Sequence, residues 1–158
     1  VERVVGGTIG VIGLATTIYF ISRAIFEVPV GILIDKRKGE NDDLFVAILG
    51  MIIFGTVYLL FPMITEVWQL LVAQAILGMS CAISFPGWYS LFTRHIDKEK
   101  EAFEWSLHDV LLGSGIATCA AIGAFVAEKF GFDIVFYIAG GLIIFGGLSL
   151  FLIKNKIN

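Results

Sequence analysis

Apolar residues in this chain come in five long runs, and the charged residues are concentrated in the short segments between them. A run of about 20 apolar residues can cross the roughly 30 Å hydrocarbon core of a bilayer as an α-helix. The pattern therefore predicts an all-α polytopic membrane protein in which short turns make sequential helices antiparallel neighbours. We expect residues 1–158 to form a single transmembrane domain. Its predicted spans cover residues 5–34, 44–61, 67–93, 103–127 and 134–153.

The composition strengthens this assignment and excludes several functional classes. Hydrophobic residues make up 58% of the chain and charged residues 16%, with a mean hydropathy of +0.90. A soluble domain of this length has no interior large enough for so much apolar surface. Cys81 and Cys119 each lie within an apolar run, which favours buried small residues over a disulfide or metal pair. We expect the lipid bilayer as a partner, and no metal, cofactor, nucleic acid or enzymatic activity, because no catalytic motif is present.

The basic residues predict how the chain is oriented. Lys and Arg favour the cytoplasmic ends of membrane helices. On this rule the first and third turns and the C-terminus are cytoplasmic, so five spans place the N-terminus of the chain outside. This indicates an inner (plasma) membrane protein with one further helix upstream and a parent unit of six helices. The basic residues on the cytoplasmic side are Lys36, Arg37, Lys38, Arg94, Lys98, Lys100, Lys154 and Lys156.

The first turn carries the sharpest motif, in which a Gly precedes an Asp by four residues and a basic cluster follows. A Gly one turn before the membrane boundary lets a neighbouring helix approach closely. Asp35 lies where the helix dipole disfavours an anion, so we expect it to need a cationic partner or the N-terminus of a facing helix. On charge alone, an ordinary basic turn at a membrane boundary is the simpler interpretation. The residues of this candidate gating turn are Gly31, Asp35, Lys36, Arg37 and Gly39.

This turn resembles the signature between the second and third helices of the major facilitator superfamily, Gly-x-x-x-Asp-Arg/Lys-x-Gly-Arg/Lys-Arg/Lys. The chain matches it at Gly31, Asp35 and Lys36. It departs from it where Lys38 replaces the second Gly, which comes one place late, and where Glu40 replaces a base. The resemblance implies a helical bundle and a carrier function.

Two later segments are similar to the same family. In the third span, Gln74 stands where the family's fourth helix usually has Arg, and Gly78 matches the Gly four residues later. In the fourth span, Gly113, Gly115 and Gly123 echo the Gly-rich fifth helix. The resemblance implies that the chain corresponds to helices two to six of a six-helix half, to helices eight to twelve of a full-length carrier, or to most of a half-size member.

A polar face crosses the middle of the first span. Thr16, Tyr19, Arg23 and Glu27 are spaced three, four and four residues apart and so share one helical face. Counted from the predicted boundary at Asp35, the two charges lie roughly 18 Å and 12 Å deep. Intramembrane charges are expensive and indicate function by default. The face therefore predicts a substrate cavity, with Gln74 as a further cavity candidate; a structural bridge formed by the pair itself is the alternative.

The fourth span offers a face for close helix packing. Asp109, Gly113 and Ala117 recur at four-residue spacing, which suits approach by another helix. We expect Gly78, Gly115 and Gly123 to serve packing as well. His108, next to Asp109, could form a pH-sensitive contact, although a solvated helix start is the simpler account.

Two functions follow from these patterns. The first is a secondary-active transporter, or half of one, that moves a small solute by alternating access, with ion or proton coupling left open. The second is a non-transporting half-size subunit that acts as a scaffold or in protein interaction. A single six-helix unit supplies only one wall of a cavity. Transport therefore requires a second six-helix half or a homodimer, and the sequence does not identify the substrate.

Overall fold

Five long helices make up the computed structural model, which describes residues 8–36 and 39–152. All five are long and apolar enough to cross a membrane. The first and second helices are joined through residues 37–39, of which only Gly39 is described. A short 3-10 turn at Phe61–Met63 follows the second helix. The helices are α1 (Ile9–Lys36), α2 (Glu40–Leu60), α3 (Val67–His95), α4 (Glu101–Phe130) and α5 (Phe132–Ser149).

Polar residues extend α2 at its start, α3 at its end and α4 at both ends beyond the predicted spans, whereas α5 ends at Ser149, before the predicted residue 153. α2 begins at Glu40 rather than 44, with three acidic residues in its first turn, where the helix dipole favours anions. α3 begins with a capping box between Glu66 and Gln69. Gly131, with φ of +89°, makes the sharp turn from α4 to α5, which a side chain would strain.

α3 is the central helix of the described bundle. It packs against α1 on one side and α2 on the other, and α2 in turn packs against α5. The buried core contains Val57, Ala73 and Leu77, with Tyr19 and Tyr58 packed around it. α4 is peripheral: its extensive helix contact is with α5, and no residue of α4 is buried among the described residues.

Small residues set the spacing of the central helices. A Cβ added at Gly50 would lie 2.7 Å from the Ser80 carbonyl oxygen, and one added at Gly55 would lie 2.8 Å from the carbonyl oxygen of Gly140. Such approaches are allowed only without a side chain, which is the usual device of helix packing in membranes. The outer faces carry exposed Leu, Ile, Phe and Val, as expected of surfaces that face lipid.

Candidate functional site

Arg23 and Glu27 form a two-pronged ion pair at the middle of α1. Arg23 Nε donates to Glu27 Oε2 at 2.8 Å, and Arg23 Nη2 donates to Glu27 Oε1 at 3.0 Å. The side chains are 25% and 31% exposed, so neither is sealed within the described bundle. The geometry is the parallel fork that makes Arg–carboxylate pairs strong.

Phe85 of α3 covers the guanidinium from a second direction. Arg23 Cζ lies 4.7 Å from the centroid of the Phe85 ring, within the range of a cation–π contact. The edge of the guanidinium is thus occupied by a carboxylate and one face by an aromatic ring. The pair uses Nε and Nη2, which account for two of the five N–H donors of the guanidinium.

The other residues of the predicted polar face have separate environments. Tyr19 Oη donates to Cys81 Sγ of α3 at 3.1 Å. Thr16 is exposed and donates to the Ile12 carbonyl oxygen of its own helix at 3.0 Å. Gln74 is half-buried on α3, one helical turn before Gly78. The face therefore divides into a part that holds α1 to α3, at Tyr19, and a part that remains open, at Thr16.

Gly78 fixes the contact between α1 and α3. A Cβ added there would overlap the Tyr19 carbonyl oxygen and would lie 3.0 Å from the Arg23 nitrogen. Ser22 Oγ donates across the same contact to the Ala75 carbonyl oxygen at 2.7 Å. The backbone that carries the Arg23–Glu27 pair is thus held directly against α3.

The candidate gating turn lies at the end of α1. Gly31 is half-buried, but an added Cβ would meet no atom within 4 Å in the described part of the chain. The expected close helix approach at Gly31 is therefore absent between these five helices. Asp35 and Lys36 are exposed, Gly39 is the N-cap of α2, and Arg37 lies outside the described residues.

Asp35 lines a groove of about 370 Å³ between α1 and α3, together with Ser90, Thr93 and Arg94. The groove therefore has both the carboxylate of Asp35 and the guanidinium of Arg94 along its walls. Arg94, however, has its ion pair with another carboxylate, Asp43. The predicted partner for Asp35 is thus not found among the pairs formed by the described residues.

Asp43 is the residue that sequence reasoning missed. Its side chain is 0% exposed, and its Oδ2 accepts from Arg94 Nη2 at 3.0 Å and from Ser90 Oγ at 2.8 Å. Its Oδ1 is buried and has no hydrogen-bond partner within the described ranges. The carbonyl oxygen of Asp43 lies 2.5 Å from the position of a Cβ added at Gly87, so α2 and α3 meet here at backbone distance. The second residue of Pro86-Gly87 is therefore a packing residue.

The packing face predicted on α4 has no neighbour in this bundle. Gly113, Gly115 and Ala117 are exposed, and a Cβ added at either Gly would meet no described atom within 4 Å. Gly123 differs, because its added Cβ would lie 3.8 Å from Val135 Cγ1 of α5. Of the residues predicted for packing, Gly78 makes a tight contact among the five helices, whereas Gly113, Gly115 and Ala117 remain exposed.

The described residues contain no group of three or more His, Cys, Asp or Glu side chains able to hold a metal ion. Cys81 is buried and Cys119 is exposed, and both are free thiols. The charged groups of the candidate site are held in ion pairs, within α1 at Arg23–Glu27 and between α2 and α3 at Asp43–Arg94.

Residues 2–157 match the family described as Major Facilitator Superfamily. An uncharacterized transporter of Buchnera aphidicola subsp. Schizaphis graminum is 32% identical over 146 residues, which cover 92% of this chain and 36% of that protein. The multidrug resistance protein MdtG of Serratia proteamaculans is 31% identical over 134 residues, covering 84% of this chain and 31% of that protein.

The MdtG of Escherichia coli O6:K15:H31 is 31% identical over 147 residues, covering 91% of this chain and 34% of that protein. The chain thus spans about a third of the length of the curated relatives it matches. No solved structure matches it.

Proposed function

Because the chain belongs to the Major Facilitator Superfamily, we propose that it forms part of a secondary-active transporter that moves a small solute by alternating access. The observation that carries this proposal is the Arg23–Glu27 pair, half-exposed at the middle of a membrane-spanning helix. Charges at that depth are kept from lipid by facing a bundle interior or a water-filled cavity. The open side of the pair is therefore a wall of the solute pathway.

Within this transporter we propose a proton-linked role for Glu27. Both carboxylate oxygens of Glu27 are held by the guanidinium of Arg23. A proton on Glu27 would remove the charge that holds the pair and would free the donor edge of Arg23 for another acceptor. Proton binding and solute binding would then alternate at one site, with Phe85 holding the guanidinium in place.

The experiment uses cells that lack their own multidrug efflux pumps and express the full-length protein. Because two of the relatives named above are multidrug resistance proteins, small organic drugs and dyes are the first solutes to test. Export is measured at external pH 6 and pH 8 for wild type and for Glu27→Gln. We expect the variant to lose the dependence of export on pH. An unchanged pH dependence would rule out the proton role of Glu27.

A matched control is available in the exposed Lys100–Asp97 pair, whose side chains are 64% and 67% exposed. Lys100→Ala removes a cation from a surface ion pair and should leave export at wild-type level. A loss of export with this variant equal to that of Glu27→Gln would show that the assay reports general damage. Protein amount in the membrane is measured for every variant.

The second half of the transport pathway is also a proposal. α4 has 30 residues and no buried side chain among them, and α1 is open along the side that carries Thr16. We infer that helices outside this chain cover these surfaces, as a further helix, as a second six-helix half or as a second copy of this chain. Cross-linking and native mass measurement of the full-length protein in detergent distinguish these arrangements. A strict monomer with no further helices would contradict all three.

We also propose the inner (plasma) membrane as the location, with the turn after α1 and the end of α5 in the cytoplasm. The support is the cluster of Lys and Arg at that end of the bundle. Cysteines introduced at Glu40, where α2 begins, and at Thr65, between α2 and α3, test the orientation. Membrane-impermeant thiol labelling of intact cells should reach the residue-65 position and not the residue-40 position.

The alternative function is a scaffold or interaction subunit that does not transport. It is favoured by Gln74, which replaces the Arg expected from the resemblance, and by the engagement of Arg23 with Glu27 and Phe85. The double variant Arg23→Leu with Glu27→Leu separates the two functions. If the protein is a scaffold, the wild type exports nothing and the double variant still assembles with its partners. If it is a transporter, the wild type exports the solute and the double variant does not.

A further inference from the structure

His108, near the start of α4, lies in a box of aromatic rings. The centroid of its imidazole is 4.7 Å from that of Trp88, 5.4 Å from Phe92 and 5.9 Å from Trp105. Trp88 and Phe92 belong to α3 and are stacked at 4.9 Å, whereas Trp105 belongs to α4. We call Trp88, Phe92 and Trp105 the aromatic box. It is where α3 and α4 touch through side chains.

One carboxylate reaches the imidazole. His108 Nδ1 lies 3.3 Å from Asp109 Oδ1, and the two side chains are 22% and 76% exposed. Trp88 and Phe92, the α3 side chains that contact His108, carry no charge. Farther along the two helices, Glu104 accepts the Asp97 N–H and Arg94 pairs with Asp43.

We propose that His108 is a proton-binding site whose protonation tightens the attachment of α4 to α3. In the neutral imidazole one nitrogen donates and the other accepts, so donation from Nδ1 to Asp109 leaves Nε2 without a proton. A proton added at Nε2 makes the ring a cation against the π-faces of Trp88 and Phe92, which attract cations within about 6 Å. A histidine is the side chain that takes up this charge between about pH 5 and 8.

The position of the aromatic box makes this attachment consequential. α4 has no buried residue among the described residues, and its extensive helix contact is with α5. Among these five helices, an added attraction at the aromatic box therefore stabilises the attachment of α4 more than that of α3, which packs against both α1 and α2. The inference does not depend on whether the chain transports a solute.

Tryptophan fluorescence tests proton binding in the 158-residue chain in detergent micelles. The chain has three Trp and two His, so Trp68→Phe leaves the two Trp of the aromatic box as the only tryptophans. A protonated imidazole quenches a neighbouring indole, and we expect emission to fall in a single transition as the pH is lowered from 8.5 to 5. His108→Phe keeps a ring in the box and should abolish the transition.

The matched control is His95→Gln. His95 is exposed and contacts the Leu91 carbonyl oxygen through Nδ1 at 2.9 Å, and its replacement should leave the transition intact. A transition that survives in His108→Phe, or that disappears in His95→Gln, overturns the proposal. Far-UV circular dichroism verifies that each variant is as helical as the wild type.

Hydrogen exchange tests the attachment itself. Amide protection in residues 101–112 is compared between wild type and His108→Phe at pH 6 and at pH 8, and the ratio at each pH cancels the intrinsic exchange rate. We expect the ratio of wild-type to variant protection to be up to about tenfold larger at pH 6 than at pH 8. This is the size of effect expected from a well-placed cation–π contact. Equal ratios at the two pH values would show that protonation does not tighten α4.

Discussion

Arg94, near the end of α3, reaches Asp43 in the first turn of α2 and holds its fully buried carboxylate at 3.0 Å. The pair joins two helices that already meet at backbone distance at Gly87. Ser90 gives the same carboxylate oxygen its second hydrogen bond, at 2.8 Å. At the end of the bundle next to the candidate gating turn, α2 and α3 are therefore joined through a buried carboxylate that depends on Arg94 and Ser90.

Replacing Arg94 with Ala should destabilise the bundle by about 2–3 kcal/mol, because Asp43 would keep a buried charge with Ser90 as its remaining partner. The value is set below that of a fully buried pair because Arg94 is 33% exposed. Unfolding of the purified protein in mixed detergent and SDS measures the change. Lys100→Ala, in the exposed pair, should change stability by less than about 0.5 kcal/mol. Equal effects of the two variants would contradict the structural role of the buried pair.

Gly78→Ala should also destabilise, by about 1–3 kcal/mol, because its Cβ would overlap the Tyr19 carbonyl oxygen and force α1 away from α3. Gly113→Ala is the matched change at a helical Gly with no described neighbour within 4 Å. That variant should be neutral or stabilising by about 0.5–1 kcal/mol, since Ala loses less backbone entropy than Gly. The same unfolding assay applies. A neutral Gly78→Ala would show that the two helices do not touch at this position.

The Arg23–Glu27 pair should give a clear double-mutant cycle. Glu27→Leu alone leaves a cation at mid-depth and should cost about 2 kcal/mol, whereas adding Arg23→Leu should recover part of the loss. We expect a coupling energy of about 1 kcal/mol in the unfolding assay. Additive single effects would mean that the two charges are solvated independently and do not form the pair.

Ser22→Ala should remove the hydrogen bond to the Ala75 carbonyl oxygen and cost about 0.6–1 kcal/mol. Thr17→Ala provides the comparison, because Thr17 donates to the Gly13 carbonyl oxygen of its own helix at 2.9 Å. That bond lies within one helix and persists when the helices separate, so its loss should change the stability by close to zero. The prediction is wrong if the Thr17 variant loses as much stability as the Ser22 variant.

The helical fold was predictable because it depends on length and hydropathy, which are local properties of the sequence. The Arg23–Glu27 pair was also visible, since residues four apart on a helix are neighbours. The Phe85 ring above Arg23 was not, because only the packing of α1 on α3 brings those residues together. The sequence therefore predicted the ion pair but not the side chains of other helices that surround it.

Asp43 and the glycines show the same limit. Asp43 reads as one of three acidic residues at the start of a helix, and only its contact with α3 singles it out for burial. Gly78 and Gly113 were both predicted to serve helix packing. One is packed and the other is bare because α3 is central and α4 peripheral, a difference that no local pattern encodes.

The Arg23–Glu27 pair also bears on how the protein is made. Both charges belong to one helix, so they neutralise each other as soon as α1 has formed and before α3 is synthesised. A helix with its charges already paired enters the bilayer at a lower cost than one that must wait for a partner from a later segment. The pair thus allows α1 to be inserted on its own, with its polar centre in place before the rest of the bundle assembles around it.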